Sequence, residues 1–262
     1  MTSLAYTLTD SATMFRRQIR HIQRYPSLTA MLIGLPVVFL LLFVYVFGAT
    51  LGAGLPGGGD RSAYINYLVP GILLFSVTGA AQGTAISIAM DTTEGIVDRF
   101  RTMAISRASL LTGHVLGSLV QTLLCIAVVL AISLAIGFRP TATPIEWLAA
   151  AGMLTAIAFA LIWLSVALGL VSDSVETASN TPMFLTLLPF LGSGFVPTDT
   201  MPAGLRWFAD YQPFTPVIET LRGLLLDSGI GNSATIALAW CAAISLLSYL
   251  WAKRSFHKRA AR

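Results

Sequence analysis

The 262-residue chain is 55% hydrophobic and 11% charged, with a net charge of +4 and a mean hydropathy of +0.77. A soluble domain carries roughly 25% charged residues to keep its surface wet, so this composition excludes a soluble enzyme and implies a surface covered largely by lipid. Its basic residues form short clusters beside apolar runs rather than one solvated face interleaved with aromatics, which also excludes a nucleic-acid binder.

In residues 1–25, Leu4, Leu8, Phe15, Ile19 and Ile22 recur at helical spacing with Arg16, Arg17, Arg20 and Arg24 between them. That pattern predicts an amphipathic helix in the headgroup layer, ended by Tyr25-Pro26. The first apolar run is longer than a leader's apolar region, so no secretory signal is expected.

A spanning helix needs about 20 mainly apolar residues to cross a hydrocarbon core of about 30 Å. Intervals 28–47, 64–90, 110–138, 148–171 and 234–251 meet that length and are poor in charge. A sixth, 178–196, contains Asn180, Thr181, Pro182 and Pro189. Pro189 removes a backbone donor and predicts a kink, tolerated where neighbouring helices satisfy the freed groups. The fold class is therefore an all-α integral membrane protein: one transmembrane domain, 1–262, of six spans.

Six spans place both termini on one side. That side holds Arg16, Arg17, Arg20, Arg24, Arg99, Arg101, Arg107, Lys253, Arg254, Lys258, Arg259 and Arg262, and the other Arg61, Arg139, Arg206 and Arg222, 12 against 4, whereas the acids divide 6 and 6. Lys and Arg set orientation and acids contribute little, so both termini are expected in the cytoplasm. Gly48–Ser62 and Arg139–Trp147 become outer loops and Ser172–Thr177 an inner turn.

Residues 197–227 are half apolar and predict two short helices dipping into the outer leaflet. Thr215-Pro216 is a helix-start signal, Glu219 and Arg222 are spaced to pair, and Trp207, Phe208 and Tyr211 suit the interface.

Catalytic and cofactor chemistry is not encoded in any recognisable form. Gly57-Gly58-Gly59 lacks the Gly-Lys-Ser/Thr ending that holds phosphates, so no ATP site is expected. Three scattered histidines exclude a metal site, and Cys125 and Cys241 are expected as buried free thiols. His114 and Ser118 are four apart and could form a nucleophile–base pair, yet a helix-interior serine has no oxyanion hole and no Gly-x-Ser-Gly surrounds Ser193. Gly48–Gly52, Gly79–Gly83 and Gly113–Gly117 are G-x-x-x-G pairs expected to pack the bundle. Thr78, Gln82, Ser87, Asn180, Thr181 and Thr186 are candidates either to line a path or to bond neighbouring helices.

The densest information lies between the second and third spans, in 91–107. Ile96, Val97, Phe100 and Met103 share one helical face and Asp91, Glu94 and Asp98 another, predicting a short amphipathic cytoplasmic helix suited to a groove on a partner. The run Glu94-Gly95-x-x-Asp98-Arg99-Phe100-Arg101-Thr102-Met103-x-Ile105-Ser106-Arg107 resembles the cytoplasmic loop of type-2 ABC exporter membrane subunits, most closely the daunorubicin-resistance branch. Ala104 stands where that branch usually has proline. Phe195, Pro197, Met201, Pro202, Leu205, Gln212, Pro213, Pro216 and Arg222 follow the same family's outer region.

The resemblance implies that 94–107 is a coupling helix docking on a separate ABC ATPase, two copies of which hold ATP-Mg. It also implies a second membrane subunit, identical or related, in a bacterial inner membrane, and outward movement of an amphipathic drug, antibiotic or lipid-like molecule. Lipid-linked or glycan cargo is the alternative. This chain itself would bind no cofactor.

Overall fold

The computed structural model describes residues 26–56, 58–93, 107–172 and 174–259. Helix α1 (Pro26–Leu41) passes through a π-helical stretch (Leu42–Phe47) into α2 (Gly48–Ala53). Three long helices follow: α3 (Arg61–Thr93), α4 (Arg107–Ile136) and α5 (Pro144–Val171). Then come two short helices, α6 (Val175–Asn180) and α7 (Met183–Leu187), and a run of turns to Phe195. A 3-10 turn (Thr198–Thr200), α8 (Ala203–Tyr211), α9 (Phe214–Leu226) and α10 (Ser233–Arg259) complete the chain. Among the described residues every regular element is helical. The amphipathic helix expected at 1–25 and residues 94–106 of the coupling loop expected at 91–107 lie outside the described residues, while Asp91, Thr92 and Thr93 of that loop form the end of α3.

Five continuous helical stretches are long and apolar enough to cross a bilayer: Thr29–Ala53, Arg61–Thr93, Thr112–Ile136, Pro144–Val171 and Ser233–Ser255. They correspond to the five clear apolar intervals of the sequence, but α3 spans 61–93 rather than 64–90, α10 continues to Arg259 rather than 251, and two outer loops are shorter than expected. The first helix runs on to Ala53, so Gly48–Ala53 is helical rather than loop. The fourth begins at Pro144 rather than 148, because Thr143 caps it. The Glu146 amide donates to Thr143 Oγ1 (3.4 Å), and the Thr143 amide donates back to Glu146 Oε2 (2.6 Å). This reciprocal capping box, with Pro144 at the first helical position, satisfies amides that would otherwise be orphaned.

The stretch expected as a span over 178–196 is not one helix. Pro182 and Pro189 remove two backbone donors, and Gly192 and Gly194 lie in the turns that follow, so the chain breaks twice.

Burial separates the centre from the flanks. In their most apolar windows α3 is 72% buried and α5 67%, against 17% for the α1–α2 stretch and 17% for α10. The two central helices therefore carry protein on most faces, while the flanks expose residues such as Met31, Val38, Leu246 and Leu247. Lipid tails are as apolar as leucine, so those residues lose nothing there; packing and satisfied polar groups hold the centre together instead.

The larger apolar cluster joins Tyr64–Val77 of α3, Ala150–Leu161 of α5 and the buried face of α9. A smaller cluster near the Thr93 end joins Ile88 of α3, Val115 of α4, Ile162–Leu170 of α5 and Ala252 of α10. There α3 and α5 touch closely: a Cβ on Gly169 would stand 2.7 Å from the Ala85 carbonyl oxygen and 3.0 Å from Ile88 Cβ.

The short helices differ from each other in burial. Along α9, Phe214, Val217, Ile218, Leu221 and Leu225 are all buried, whereas α8 exposes Trp207 (67%) and Tyr211 (66%). The end of α9 is stopped by Asp227, whose φ of +52° is a left-handed conformation that aspartate tolerates better than most residues. The Leu225 carbonyl that this end leaves free accepts from the Thr141 amide at 3.0 Å.

Candidate functional site at the interrupted helix

A helix broken inside an apolar bundle leaves carbonyl and amide groups that lipid cannot satisfy. Side chains of α3 and of the 212–222 region take up that role. Gln212 Nε2 donates to the Leu188 carbonyl (3.0 Å) and Tyr64 Oη to the Phe195 carbonyl (3.2 Å). The Ser193 carbonyl accepts twice, from Tyr67 Oη (2.9 Å) and from Arg222 Nη2 (2.8 Å), while the Ser193 amide donates to Thr215 Oγ1 (3.3 Å).

Arg222 is the hub of this arrangement. Its guanidinium carbon sits 3.8 Å from the centroid of the Tyr67 ring, a cation–π contact. Nη1 pairs with Glu219 Oε1 at 3.0 Å, and Nη2 also reaches the Tyr67 carbonyl at 3.2 Å. Only 12% of the Arg222 side chain is exposed, against 43% for Glu219, so a shielded cation is balanced by a carboxylate at the rim. A planar fork with several fixed donors suits this task, and a lysine ammonium would not reproduce it.

The interrupted segment also follows α3 along most of its length. Gln82 Nε2 donates to the Ser179 carbonyl (2.8 Å) near α6, and Tyr64 reaches Phe195 at the far end. Between those contacts α3 advances 18 residues and the segment 16. Eighteen helical residues cover about 27 Å, close to the ~30 Å hydrocarbon core. The two breaks therefore bend the segment without folding it back.

Five phenylalanines gather beside the break. Phe190 and Phe195 stack at 4.1 Å, and Phe39, Phe43 and Phe75 join them at 4.9 to 5.5 Å. Phe39 and Phe43 come from α1 and its π-helical stretch, an irregularity that frequently marks functional sites. Of the five, Phe75 and Phe195 are each 3% exposed and the other three are half-buried, forming an aromatic wall on the α1–α3 side.

The residues singled out from sequence are distributed as follows. Gln82 bridges to the interrupted segment, Ser87 is half-buried, and Asn180 and Thr181 are exposed. Thr78 is buried and donates back to the Phe75 carbonyl within α3 (2.8 Å), and Thr186 Oγ1 is buried without a partner. Phe195, Glu219 and Arg222 belong to the capped break, Pro216 lies buried in the first turn of α9, and Pro197, Pro202 and Pro213 each precede a helical turn. Arg107 opens α4. Gln212, singled out with the outer region, caps the break, whereas Tyr64, Tyr67, Phe39, Phe43, Phe75 and Phe190 were not anticipated. Their signals were present as two tyrosines three apart at the end of a span and phenylalanines four apart in another.

His114 and Ser118 do not form a nucleophile–base pair. His114 Nε2 lies 3.0 Å from Asp91 Oδ2, and Nδ1 has no partner, so neither nitrogen activates the serine. Among the described residues no group of three or more potential ligands could hold a metal.

These features define a multi-pass membrane protein built around an interrupted helix, with the polar chemistry used to seal that interruption. The profile of the ABC-2 type transporter family matches residues 10–226, and the chain belongs to that family. It is 25% identical over 245 residues to the daunorubicin resistance ABC transporter permease protein DrrB1 of Streptomyces coeruleorubidus, covering 93% of this chain and 84% of that protein. It is 22% identical over 211 residues to a probable doxorubicin resistance permease, DrrC, of Mycobacterium tuberculosis, covering 80% and 76%. It is also 29% identical over 199 residues to ABC transporter G family member 20 of Dictyostelium discoideum, covering 74% of this chain and 26% of that longer protein. The chain is thus a membrane subunit of an ABC exporter, a transport component rather than an enzyme. Family membership implies an ABC ATPase partner and pairing of membrane subunits.

Proposed function

We propose that this chain forms half of the path of an exporter for amphipathic drugs, antibiotics or lipid-like molecules. In this reading it lies in a bacterial plasma membrane with both termini in the cytoplasm and six crossings, the fifth being the interrupted segment. Two copies, or one copy and a related chain, face each other. Two ATPase subunits bind ATP-Mg and grip residues 94–107, Phe100 foremost.

The observation that carries it is the double attachment of α3 to the interrupted segment, at Gln82–Ser179 and at Tyr64 and Tyr67 on the turns of Ser193–Phe195. The same helix ends at Thr93, where the coupling segment begins. Force applied at 94–107 therefore has a continuous, packed rod along which to reach the break. The aromatic wall of Phe39, Phe43 and Phe190 offers polarizable surface to an amphipathic cargo, and relatives named for daunorubicin and doxorubicin resistance support that class.

The test is reconstitution of the chain with its ABC ATPase in proteoliposomes and measurement of ATP-dependent daunorubicin movement. Transport by the native chain, together with loss of ATPase co-purification on Phe100→Asp at unchanged membrane insertion, is expected. Undiminished co-purification by Phe100→Asp overturns the docking role. ATP turnover stimulated by lipid-linked glycan and not by daunorubicin would move the cargo to the alternative class.

A further inference from the structure

The geometry points to His114 and Asp91 as a positioning pair that couples the ATPase stroke to the spans; this inference rests on residues 94–107 being the docking segment. His114 Nε2 and Asp91 Oδ2 are 3.0 Å apart, with the side chains 7% and 15% exposed. Asp91 lies two residues before the end of α3 and His114 seven residues into α4, so the pair joins the two helices that carry the coupling segment. A charge-assisted hydrogen bond shielded from water is among the stronger polar links available to two packed helices.

Its surroundings give the link mechanical meaning. One turn from Asp91, Ile88 packs in the same apolar cluster as Val115, the residue after His114. That cluster continues into α5 and α10, and Gly169 of α5 lies directly against the backbone of α3 at Ala85. From Arg107 to His114, α4 extends about 10 Å beyond the pair. Displacement of the coupling segment thus reaches α3 at Thr93 and α4 at Arg107. With the pair intact, α3 and α4 move together and the stroke enters the α3–α5 centre. With it broken, α3 still receives the stroke at Thr93 but α4 yields separately, so much of each stroke is lost before it reaches the interrupted segment. Hydrolysis of an enclosed ester or peptide plays no part: His114 serves as a strut.

The test uses the complete exporter in proteoliposomes and reads substrate moved per ATP hydrolysed, a ratio that lower protein yield alone does not change. The nitrogen of glutamine reaches about as far from the backbone as histidine Nε2, and that of asparagine stops short. His114→Asn is expected to reduce the ratio about fivefold or more, within the usual range of coupling between sites, with ATPase co-purification retained. His114→Gln should restore most of it. Asp91→Ala should lose at least as much as His114→Asn, and the double variant should be no worse than Asp91→Ala alone, the signature of one shared interaction. Equal ratios for His114→Asn, His114→Gln and the native chain overturn the inference, as do losses that multiply in the double variant. Failure of Phe100→Asp to release the ATPase would instead remove the docking reading on which the pair depends, so the two failures are separately visible.

Discussion

A methyl group placed on Gly71 would collide with the carbonyl oxygen of Gly194, so α3 and the interrupted segment meet backbone against backbone. No side chain fits between them. Pro70 precedes this contact and Pro189 begins the opposing turn, so two helix-disturbing residues are placed where two chains must approach most closely.

Gly71→Ala should therefore separate the two elements or shift the turn, at a cost of about 1–3 kcal/mol typical of overpacking. Thermal unfolding of the purified chain is the direct check. Transport of the proposed amphipathic cargo should fall more steeply than stability, because the Tyr64 and Tyr67 contacts are displaced with the turn. A variant as stable and active as the native chain would show that the approach is not required.

The double acceptor at Ser193 makes a graded prediction. Tyr67→Phe removes one donor and leaves Arg222 in place, costing about 0.5–1.5 kcal/mol. Arg222→Lys retains charge but loses the fork and the stacked contact, and Arg222→Leu also leaves Glu219 without its partner. Stability measured by denaturation in detergent should fall in the order Tyr67→Phe, Arg222→Lys, Arg222→Leu. Inversion of that order would remove Arg222 from the centre of the arrangement.

Gln82→Leu separates two roles left open by the sequence. If the side chain serves only to bond Ser179, loss of one interhelical bond costs about 0.6 kcal/mol, and substrate preference stays constant. A change in the relative transport of two amphipathic substrates of different polarity, at nearly native stability, would place Gln82 on the path.

Topology is testable with single cysteines because Cys125 and Cys241 are buried and should give little background. Tyr211→Cys should react with an impermeant thiol reagent on intact cells, and Lys253→Cys only after the membrane is opened. Reversal of that pattern would invert the orientation and leave the coupling segment out of reach of a cytoplasmic ATPase.

Much of this architecture was legible because a bilayer imposes few solutions. Length and charge scarcity identified five helices, since nothing else satisfies a backbone over 30 Å of hydrocarbon. Pro182 and Pro189 marked the sixth stretch as the weak one, and it is the one that breaks. Glu219 and Arg222 were spaced to pair, and they do. The partners of the broken segment were hidden for a different reason. Tyr67 and Ser193 are 126 residues apart, and no local periodicity connects a tyrosine at one helix end to a carbonyl in a distant turn. Thr215 illustrates the same limit: read as a helix-start signal, it accepts the Ser193 amide and is buried in the first turn of α9. The His114–Asp91 pair was likewise obscured, because spacing along one helix drew attention to Ser118 and the true neighbour arrived from another.

Unwound stretches in many transporters lend their bare oxygens to sodium or protons, which then pull the cargo along. At Ser193 both lone pairs are already occupied, by a phenol and a guanidinium. That carbonyl is filled by the protein itself, while Ser193 Oγ and Gln212 Oε1 beside it are buried without a partner. A main-chain oxygen held by two side chains of neighbouring elements moves only when they move, which suits a chain worked by nucleotide hydrolysis in a neighbour.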